Sequence, residues 1–265
     1  MTSSKTFSTL AVFAHPGHEL RALHALGSLQ AKTLFLTDAS ASTGVSRIPL
    51  SVETLSQADI PPASRFKPIP DAALYRALMD QKIDLFTDLA RQIARQIDRV
   101  SPDFVLTDSA EGYNPAHDIC HFLSLAAARR SRTQPHVYDV ALNHDPLDFA
   151  HADPRDCKVF DLDAAAIARK RGAIEAYVQR AGDMLAREAE GLLKQFGDQG
   201  QAREILRPAL SRRAYFKAFA DTPPFFESHG LKRVREGKYS RALTRDHVVP
   251  VIDALEEIGA HTCAS

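Results

Sequence analysis

The sequence is poor in cysteine and has no excess of charge of either sign. Its three cysteines, Cys120, Cys157 and Cys263, are far apart and odd in number. This pattern argues against a disulfide framework and fits a reducing compartment. Lysine plus arginine and aspartate plus glutamate both number 33, so the formal charge is zero. Because a nucleic-acid footprint needs a basic block, we expect no nucleic-acid partner.

Several features that would define a function class are also missing. No apolar run approaches the roughly 20 residues of a membrane span, and the N-terminal segment lacks the small-residue cleavage pattern of a signal peptide. The sequence has neither a glycine-rich phosphate loop nor a Gly-x-Ser-x-Gly elbow, which disfavours nucleotide use and serine hydrolase chemistry. We therefore expect a cytoplasmic protein without a membrane span.

A buried strand followed by a turn rich in imidazole stands near the start of the chain. Residues 9–15 (TLAVFAH) are mostly apolar and continuous, which predicts a strand buried on both faces. Pro16 ends it, and the turn carries His15, His18 and Glu19. The two histidines can place neutral nitrogens on one divalent metal if a third ligand comes from elsewhere. An isolated His-x-x-His pair is equally consistent with one core and one solvated histidine.

Strands and helices then alternate along the chain. Residues 32–38 predict a second strand, residues 71–99 a long amphipathic helix that Asp71 caps, and residues 103–107 a third strand. This order is typical of repeated β-α-β units with a parallel sheet. Residues 39–70 show no sustained period, so we expect a long loop that forms a substrate-site rim or a flap.

A second cluster of histidines follows the third strand. Residues 107–121 (TDSAEGYNPAHDICH) repeat the layout of strand, turn and helix. His117 and His121 are four apart and would share a helix face, which makes a metal pair geometrically possible. In the favoured alternative, His117 at the helix start points into the same crevice as His15 and His18. His121 would then lie one turn deeper as a packing residue or a support for a ligand.

These two motifs resemble those of the PIG-L/LmbE family of zinc-dependent N-deacetylases. AHPGHE at residues 14–19 is similar to the family's AHPDDE, and EGYNPAHD at residues 111–118 to its EGGHPDHD. The tail at residues 224–250, PFFESHGLKRVREGKYSRALTRDHVVP, is similar to that of some members. The resemblance implies a Rossmann-like α/β fold with a mostly parallel sheet flanked by helices. It also implies removal of an acetyl group from an N-acetylglucosamine unit.

Carried over residue by residue, the resemblance implies a zinc site. His15 and His117 match the family's first and third ligands, and His18 falls where the family has a ligating aspartate. The exchange retains a metal ligand but removes one negative charge, since neutral imidazole replaces carboxylate. The resemblance therefore implies one Zn²⁺ per chain, held by three imidazoles.

Three positions depart from the family pattern. Gly17 replaces its general-base aspartate, Asn114 a histidine that assists at the transition state, and Ala116 an aspartate that supports this histidine. Glu19 is the first candidate for a substitute base and Asp118 the second, because each adjoins a proposed ligand. An acidic residue in the first turn of a helix is also favoured by the helix dipole alone, so each has a structural explanation as well.

Two further residues are candidates for substrate binding. Asn114 lies in the second cluster, and His144 follows a strand predicted at residues 135–142. Because His144 would lie just past a strand end, it could bind substrate or assist the reaction. A loop histidine with no role is an equal alternative.

The second half of the chain predicts one more strand and two more helices. They are a short strand at residues 158–161, a long helix at residues 163–195 and a final helix from about residue 246. An aromatic-rich, largely irregular connection lies between the helices. We expect residues 1–200 to form the α/β domain and residues 201–265 a C-terminal extension packed on it.

Two functions from different classes follow. The first is a metal-dependent hydrolase that removes an acyl group from an acylamino sugar or related amide, with a small molecule or glycan as substrate. The second is a metal-binding, deacetylase-like protein without that activity, which the three departures favour. Three imidazoles converging on one crevice are hard to explain as packing, and this favours the enzyme.

Overall fold

A six-stranded sheet forms the centre of the fold in this computed structural model, which describes residues 8–40, 44–61 and 66–260. The strands are β1 (Thr9–Phe13), β2 (Lys32–Phe35), β3 (Phe104–Asp108), β4 (His136–Val140), β5 (Lys158–Asp161) and β6 (Arg203–Pro208). Their order is β2-β1-β3-β4-β6-β5. Strands β1 to β4 pair in parallel, whereas β6 is antiparallel to both neighbours. The predicted α/β fold with a mostly parallel sheet is confirmed.

Helices cover both faces of this sheet. They are α1 (Leu23–Ser28), α2 (Ile48–Gln57), α3 (Asp71–Met79), α4 (Ile83–Val100), α5 (Pro115–Arg130), α6 (Ala164–Ala181), α7 (Asp183–Phe196), α8 (Arg212–Ala218), α9 (Phe225–Arg235) and α10 (Arg245–Ala260). Short 3₁₀ turns lie at His18–Ala22, Pro154–Asp156 and Asp198–Gln201.

The continuous apolar run of β1 reflects burial on both faces. Leu10 and Val12 belong to the core cluster shared with α4, α5 and α10. Ala11 and Phe13 point the other way, into the cluster shared with α1, α2 and α6. Because successive side chains of a strand alternate between faces, a strand between two helical layers needs apolar residues at every position.

The chain order places a crevice at the carboxyl end of β1. From β1 the chain moves to β2 on one side, and it later returns to β3 on the other side. The connection after β1 runs to one side of the sheet and the connection after β3 runs to the other, which leaves a crevice between the ends of these two strands. Ligands of open α/β sheets bind in such a crevice. Both histidine motifs lie in the segments that follow β1 and β3.

Two predicted boundaries are wrong in the first half of the chain. The expected loop at residues 39–70 contains α2, although residues 41–43 and 62–65 fall outside the described part. The expected helix at residues 71–99 is two helices, separated at Gln81 with φ of 49°. The apolar stripe continues through this break, so the hydrophobic period does not reveal it. Asp71 is the first residue of α3, and Pro70 takes the cap position.

The second half of the chain is more regular than expected. The helix predicted at residues 163–195 is divided at Gly182, where φ is 97°. The connection predicted to be largely irregular contains β6, α8 and α9. In β6, Arg207 is buried, and its charge is balanced by Asp139, whose Oδ1 accepts a hydrogen bond from Arg207 Nε at 3.0 Å. A charged residue at a buried strand position hides the pattern from which a strand is predicted.

The remaining expectations concern cysteines and membrane spans. Cys120 and Cys157 are free thiols, and Cys263 lies outside the described residues. No helix in the described ranges has the length and apolar character to cross a bilayer.

Candidate active site

Three imidazole rings meet in the crevice between β1 and β3. His15 and His18 flank the turn after β1, and His117 lies in the first turn of α5. The ring centroids are 5.2 Å apart for His15 and His18, 5.3 Å for His15 and His117, and 4.5 Å for His18 and His117. The structure therefore brings together the three residues that the sequence predicts as ligands.

A left-handed turn at Gly17 brings the first two rings to this place. Gly17 has φ of 107°, a conformation that side chains with a Cβ rarely adopt. Its N–H donates to Glu19 Oε2 at 2.7 Å. A Cβ at this position would lie 3.4 Å from the Tyr177 ring and hydroxyl. Glycine at the family's aspartate position is thus matched to the local backbone.

Hydrogen bonds to His15 determine which of its nitrogens is left free to bind a ligand. Its Nδ1 lies 2.8 Å from Thr37 Oγ1 and 3.2 Å from Asp71 Oδ1. The Thr37 hydroxyl donates its hydrogen to Ala14 O at 3.0 Å. Since that hydrogen is used, Thr37 accepts from His15 Nδ1–H. This tautomer leaves the lone pair on Nε2, as in metal-bound histidines whose other nitrogen donates to a carboxylate.

His18 has a carboxylate partner of the same kind. Its Nδ1 lies 3.0 Å from both carboxylate oxygens of Asp108. Asp108 is the last residue of β3, is fully buried and accepts from Ala14 N–H at 2.7 Å. Burial raises the pKa of Asp108 to about 6, although neighbouring imidazoles oppose the rise. The pairing again places the N–H on Nδ1 and the lone pair on Nε2.

Burial also favours the neutral form of two of these imidazoles. It lowers the pKa of His18 and of His117 well below the usual value, and the adjacent rings lower both further. A metal ligand must present an unprotonated nitrogen. These two side chains are therefore in the protonation state that metal binding needs.

The ring spacing matches one tetrahedral metal, whereas the present donor positions do not. With metal–nitrogen distances of about 2.0–2.1 Å, three imidazoles on one zinc ion would have centroids about 5 Å apart. The observed separations of 4.5–5.3 Å agree with this. Yet among the described residues no group of three or more His, Cys, Asp or Glu is arranged to hold a metal ion.

The two candidate bases lie behind the cavity wall. Glu19 and Asp118 are both fully buried, and neither lines the cavity that contains the three imidazoles. Asp118 accepts from Gly112 N–H at 3.1 Å and from the Tyr215 hydroxyl at 2.6 Å. Burial raises the pKa of each carboxyl to about 7. Their role as general base stays a prediction.

Of the two candidate substrate-binding residues, only one lines this cavity. Asn114 lies on its wall, and its Oδ1 accepts from Ala116 N–H at 2.8 Å and from the Tyr75 hydroxyl at 3.0 Å. His144 instead lines a separate, smaller cavity of about 220 Å³. The structure therefore does not bring His144 together with the three imidazoles.

His121 has the packing environment that the favoured alternative implies. It is fully buried, with Nδ1 2.9 Å from Asp108 O and Nε2 2.8 Å from Leu210 O. Both ring nitrogens are thus engaged with backbone carbonyls, which leaves neither for a metal. The structure places His117, and not His121, beside the other two rings.

Sequence reasoning missed three charged residues of this site. Asp108 contacts His18, Asp71 contacts His15, and Arg47 lines the cavity. A signal existed for Asp108, because it ends a buried strand next to β1, where side chains reach the crevice. Arg47 lies in the segment interpreted as a loop, where no periodicity indicates its position.

Comparison with solved structures shows the fold. The A40926 pseudoaglycone deacetylase Dbv21 superposes with a TM-score of 0.54 at 20% identity, over 77% of this chain and 97% of that chain. The conserved protein TT1542 from Thermus thermophilus gives 0.55 at 16%, over 77% and 95%. The zinc-inhibited form of teicoplanin deacetylase Orf2 gives 0.50 at 15%, over 75% and 96%. The chain shares the α/β fold of these proteins.

Sequence comparison adds no relative. No family model matches the chain, and no curated protein does. At 15–20% identity the structural similarity describes the fold, so the chemistry is argued from the residues of the site.

Proposed function

We propose that this protein is a metal-dependent amide hydrolase that removes an acyl group from an acylamino sugar or a related small molecule or glycan. One observation carries the proposal: three imidazoles, of which His15 and His117 are buried and His18 is half-buried, have ring centroids within 5.3 Å of one another. The Nδ1 of His18 pairs with the Asp108 carboxylate, and the Nδ1 of His15 lies beside Thr37 Oγ1 and Asp71 Oδ1. The similarity in fold to deacetylases supports the reaction class.

His15, His18 and His117 would hold one Zn²⁺ through the nitrogens that their partners leave free. When bound there, zinc polarises a substrate carbonyl and lowers the pKa of coordinated water. Teicoplanin deacetylase Orf2, which is similar in fold, has a zinc-inhibited form, and this indicates that zinc binds that protein. The buried partners Asp71 and Asp108 would orient the rings.

Glu19 and Asp118 are the proposed bases, in that order. A pKa of about 7 suits a group that takes up and returns a proton near neutral pH. Asn114 would contribute to substrate binding from the cavity wall. His144 is the weaker of the two proposed binding residues, since it lines a different cavity.

Metal binding without hydrolysis is a second candidate function. Gly17 has no side chain to act as a base, and its φ of 107° disfavours any residue with a Cβ at this position, aspartate included. The amide oxygen of Asn114, at the place of an assisting histidine, already accepts two hydrogen bonds. These features favour a deacetylase-like protein that retains only the metal site.

An amine-release assay decides between the two. Metal-depleted protein, reconstituted with zinc, would be tested on a panel of N-acetyl sugars. The hydrolase predicts amine release that requires zinc, is lost in His117→Ala and is retained in His136→Ala, an exposed histidine at the opposite end of the sheet. Bound zinc with no amine release from any member of the panel would support the second candidate.

A further inference from the structure

The cavity in front of the imidazoles is electropositive although the chain as a whole is neutral. It has a volume of about 1290 Å³, and more basic than acidic side chains line it. The basic ones are Arg21, Arg47, Lys170, Arg187, Arg203 and Arg241, and the acidic ones are Asp71 and Glu204. A cleft lined mainly by charges of one sign focuses the electric field. It thereby raises the local concentration of ligands of opposite charge.

Several of these cations are already compensated. Lys170 Nζ donates to Glu204 Oε1 at 2.6 Å, and both side chains are buried. Arg203 Nε donates to Asp161 Oδ1 at 2.6 Å. The Arg21 guanidinium donates to a backbone carbonyl. The charges of Lys170 and Arg203 are therefore neutralised within the protein, whereas Arg21 is held in place by a neutral carbonyl.

Arg47 differs from these cations. It immediately precedes α2, and its side chain is half-buried on the cavity wall. Its Nε is buried and has no hydrogen-bond partner within the described ranges, where its guanidinium also forms no ion pair. A buried donor without a partner is costly, whereas an oxyanion supplies the two acceptors that a guanidinium fork needs.

Arg47 lies close to the reacting region. It lines the same cavity as His15, His18 and His117. Asp71 also lines this cavity, and within the described residues it forms no ion pair with Arg47. A ligand group bound by Arg47 would therefore sit next to the imidazoles.

We propose that the cavity takes an anionic substrate, and that Arg47 binds a carboxylate or phosphate group on that substrate. Arg47 is then a specificity-determining residue. The identity of the scissile bond rests on the proposed hydrolase function, but the binding of an anion at Arg47 does not. The two can therefore fail separately.

Calorimetric titration tests the binding step without any assay of activity. Inorganic phosphate and acetate would be titrated into the unmodified protein, Arg47→Gln and Arg91→Gln. Arg91 is a matched control, because it lies on α4 outside the cavity and pairs with Asp88. We expect Arg47→Gln to weaken anion binding by about tenfold or more and Arg91→Gln to leave it unchanged. Equal binding by Arg47→Gln and the unmodified protein would overturn the proposal.

Kinetics test specificity and separate the two kinds of anion. N-acetylglucosamine, its 6-phosphate and the corresponding uronic acid differ in charge at one position. We expect one or both charged substrates to be preferred, and Arg47→Gln to lower their kcat/KM by about tenfold while changing the neutral sugar less than about twofold. An equal fall in kcat for all three would overturn the proposal, because Arg47 would then act on the reacting group.

Two checks keep the test valid if the variant folds poorly. Arg47→Lys retains the charge and should keep most of the preference for an anion. In the unmodified protein, raising the ionic strength should weaken phosphate binding, since screening reduces attraction between charges. Phosphate binding that is insensitive to salt would contradict the role of Arg47.

Discussion

Gly17 is the residue at which this site departs most from the deacetylases that its motifs resemble. Restoring aspartate there meets a backbone obstacle, because φ is 107°. We expect Gly17→Asp and Gly17→Ala to lower the free energy of unfolding by a similar amount, about 1–3 kcal/mol. Urea denaturation of both variants measures this. A loss confined to Gly17→Asp would show that the cost is the carboxylate and not the backbone.

The same pair isolates the chemical effect of the carboxylate. If the protein is a weakened deacetylase, Gly17→Asp should release more amine than Gly17→Ala at equal zinc occupancy. The comparison with alanine removes the contribution of strain. No gain on any N-acetyl sugar would move the assignment away from deacetylation.

Glu19 allows a test of the proposed base. Glu19→Gln is nearly isosteric, and its amide oxygen can still accept the Gly17 N–H. If Glu19 is the base, kcat should fall by about a hundredfold, with loss of the acidic limb of the pH profile and an unchanged melting temperature. Asp118→Asn is the parallel test of the second candidate.

A structural role for Glu19 would give the opposite pattern. The melting temperature would fall while kcat per folded molecule stayed the same. Should Glu19→Gln and Asp118→Asn both retain activity, neither carboxyl takes the proton and the base must be sought elsewhere.

At the level of elements, a buried hydrogen bond ties α8 to α5. The Tyr215 hydroxyl donates to Asp118 Oδ2 at 2.6 Å, and both residues are buried. We expect Tyr215→Phe to cost about 1–3 kcal/mol of unfolding free energy, because a buried acceptor loses its donor. The control Tyr239→Phe, at a half-exposed residue, should change it by less than about 0.5 kcal/mol. Equal effects of the two variants would contradict this.

Local patterns predicted the parallel strands and both histidine turns, but not every helix boundary. The run at β1 is continuous because Val12 and Phe13 enter opposite core clusters, so sequence alone identifies it. The break at Gln81 has no such signal, because its φ of 49° arises at a residue with a side chain. Strand β6 has no such signal either, because its buried Arg207 is neutralised by Asp139, a partner distant in sequence.

In the candidate site, too, local sequence patterns predict some residues and not others. The three imidazoles follow strand ends, and a strand end can be predicted from a run of apolar residues. Asp71 and Arg47 reach the site from α3 and from the start of α2, elements that lie beyond β2 in the chain. Their positions depend on how helices pack on the sheet, which no local pattern contains.

On the scale of the whole molecule, we propose that the fold assembles one metal site from two distant segments. The turn after β1 supplies two imidazoles and the start of α5 supplies the third. Neither segment provides three ligands by itself. Metal binding is therefore a property of the assembled sheet, and it should disappear when the protein unfolds.

Zinc titration of metal-depleted protein, followed by elemental analysis, tests this claim most directly. We expect about one zinc per chain. Loss of a residue that hydrogen-bonds to a metal ligand typically lowers metal affinity by about tenfold to hundredfold. Because His117 is a proposed ligand itself, we expect His117→Ala to weaken zinc binding by more than this. The control His136→Ala should bind zinc as the unmodified protein does. Full zinc occupancy in His117→Ala, or loss of zinc in His121→Ala with His117→Ala unaffected, would contradict the account.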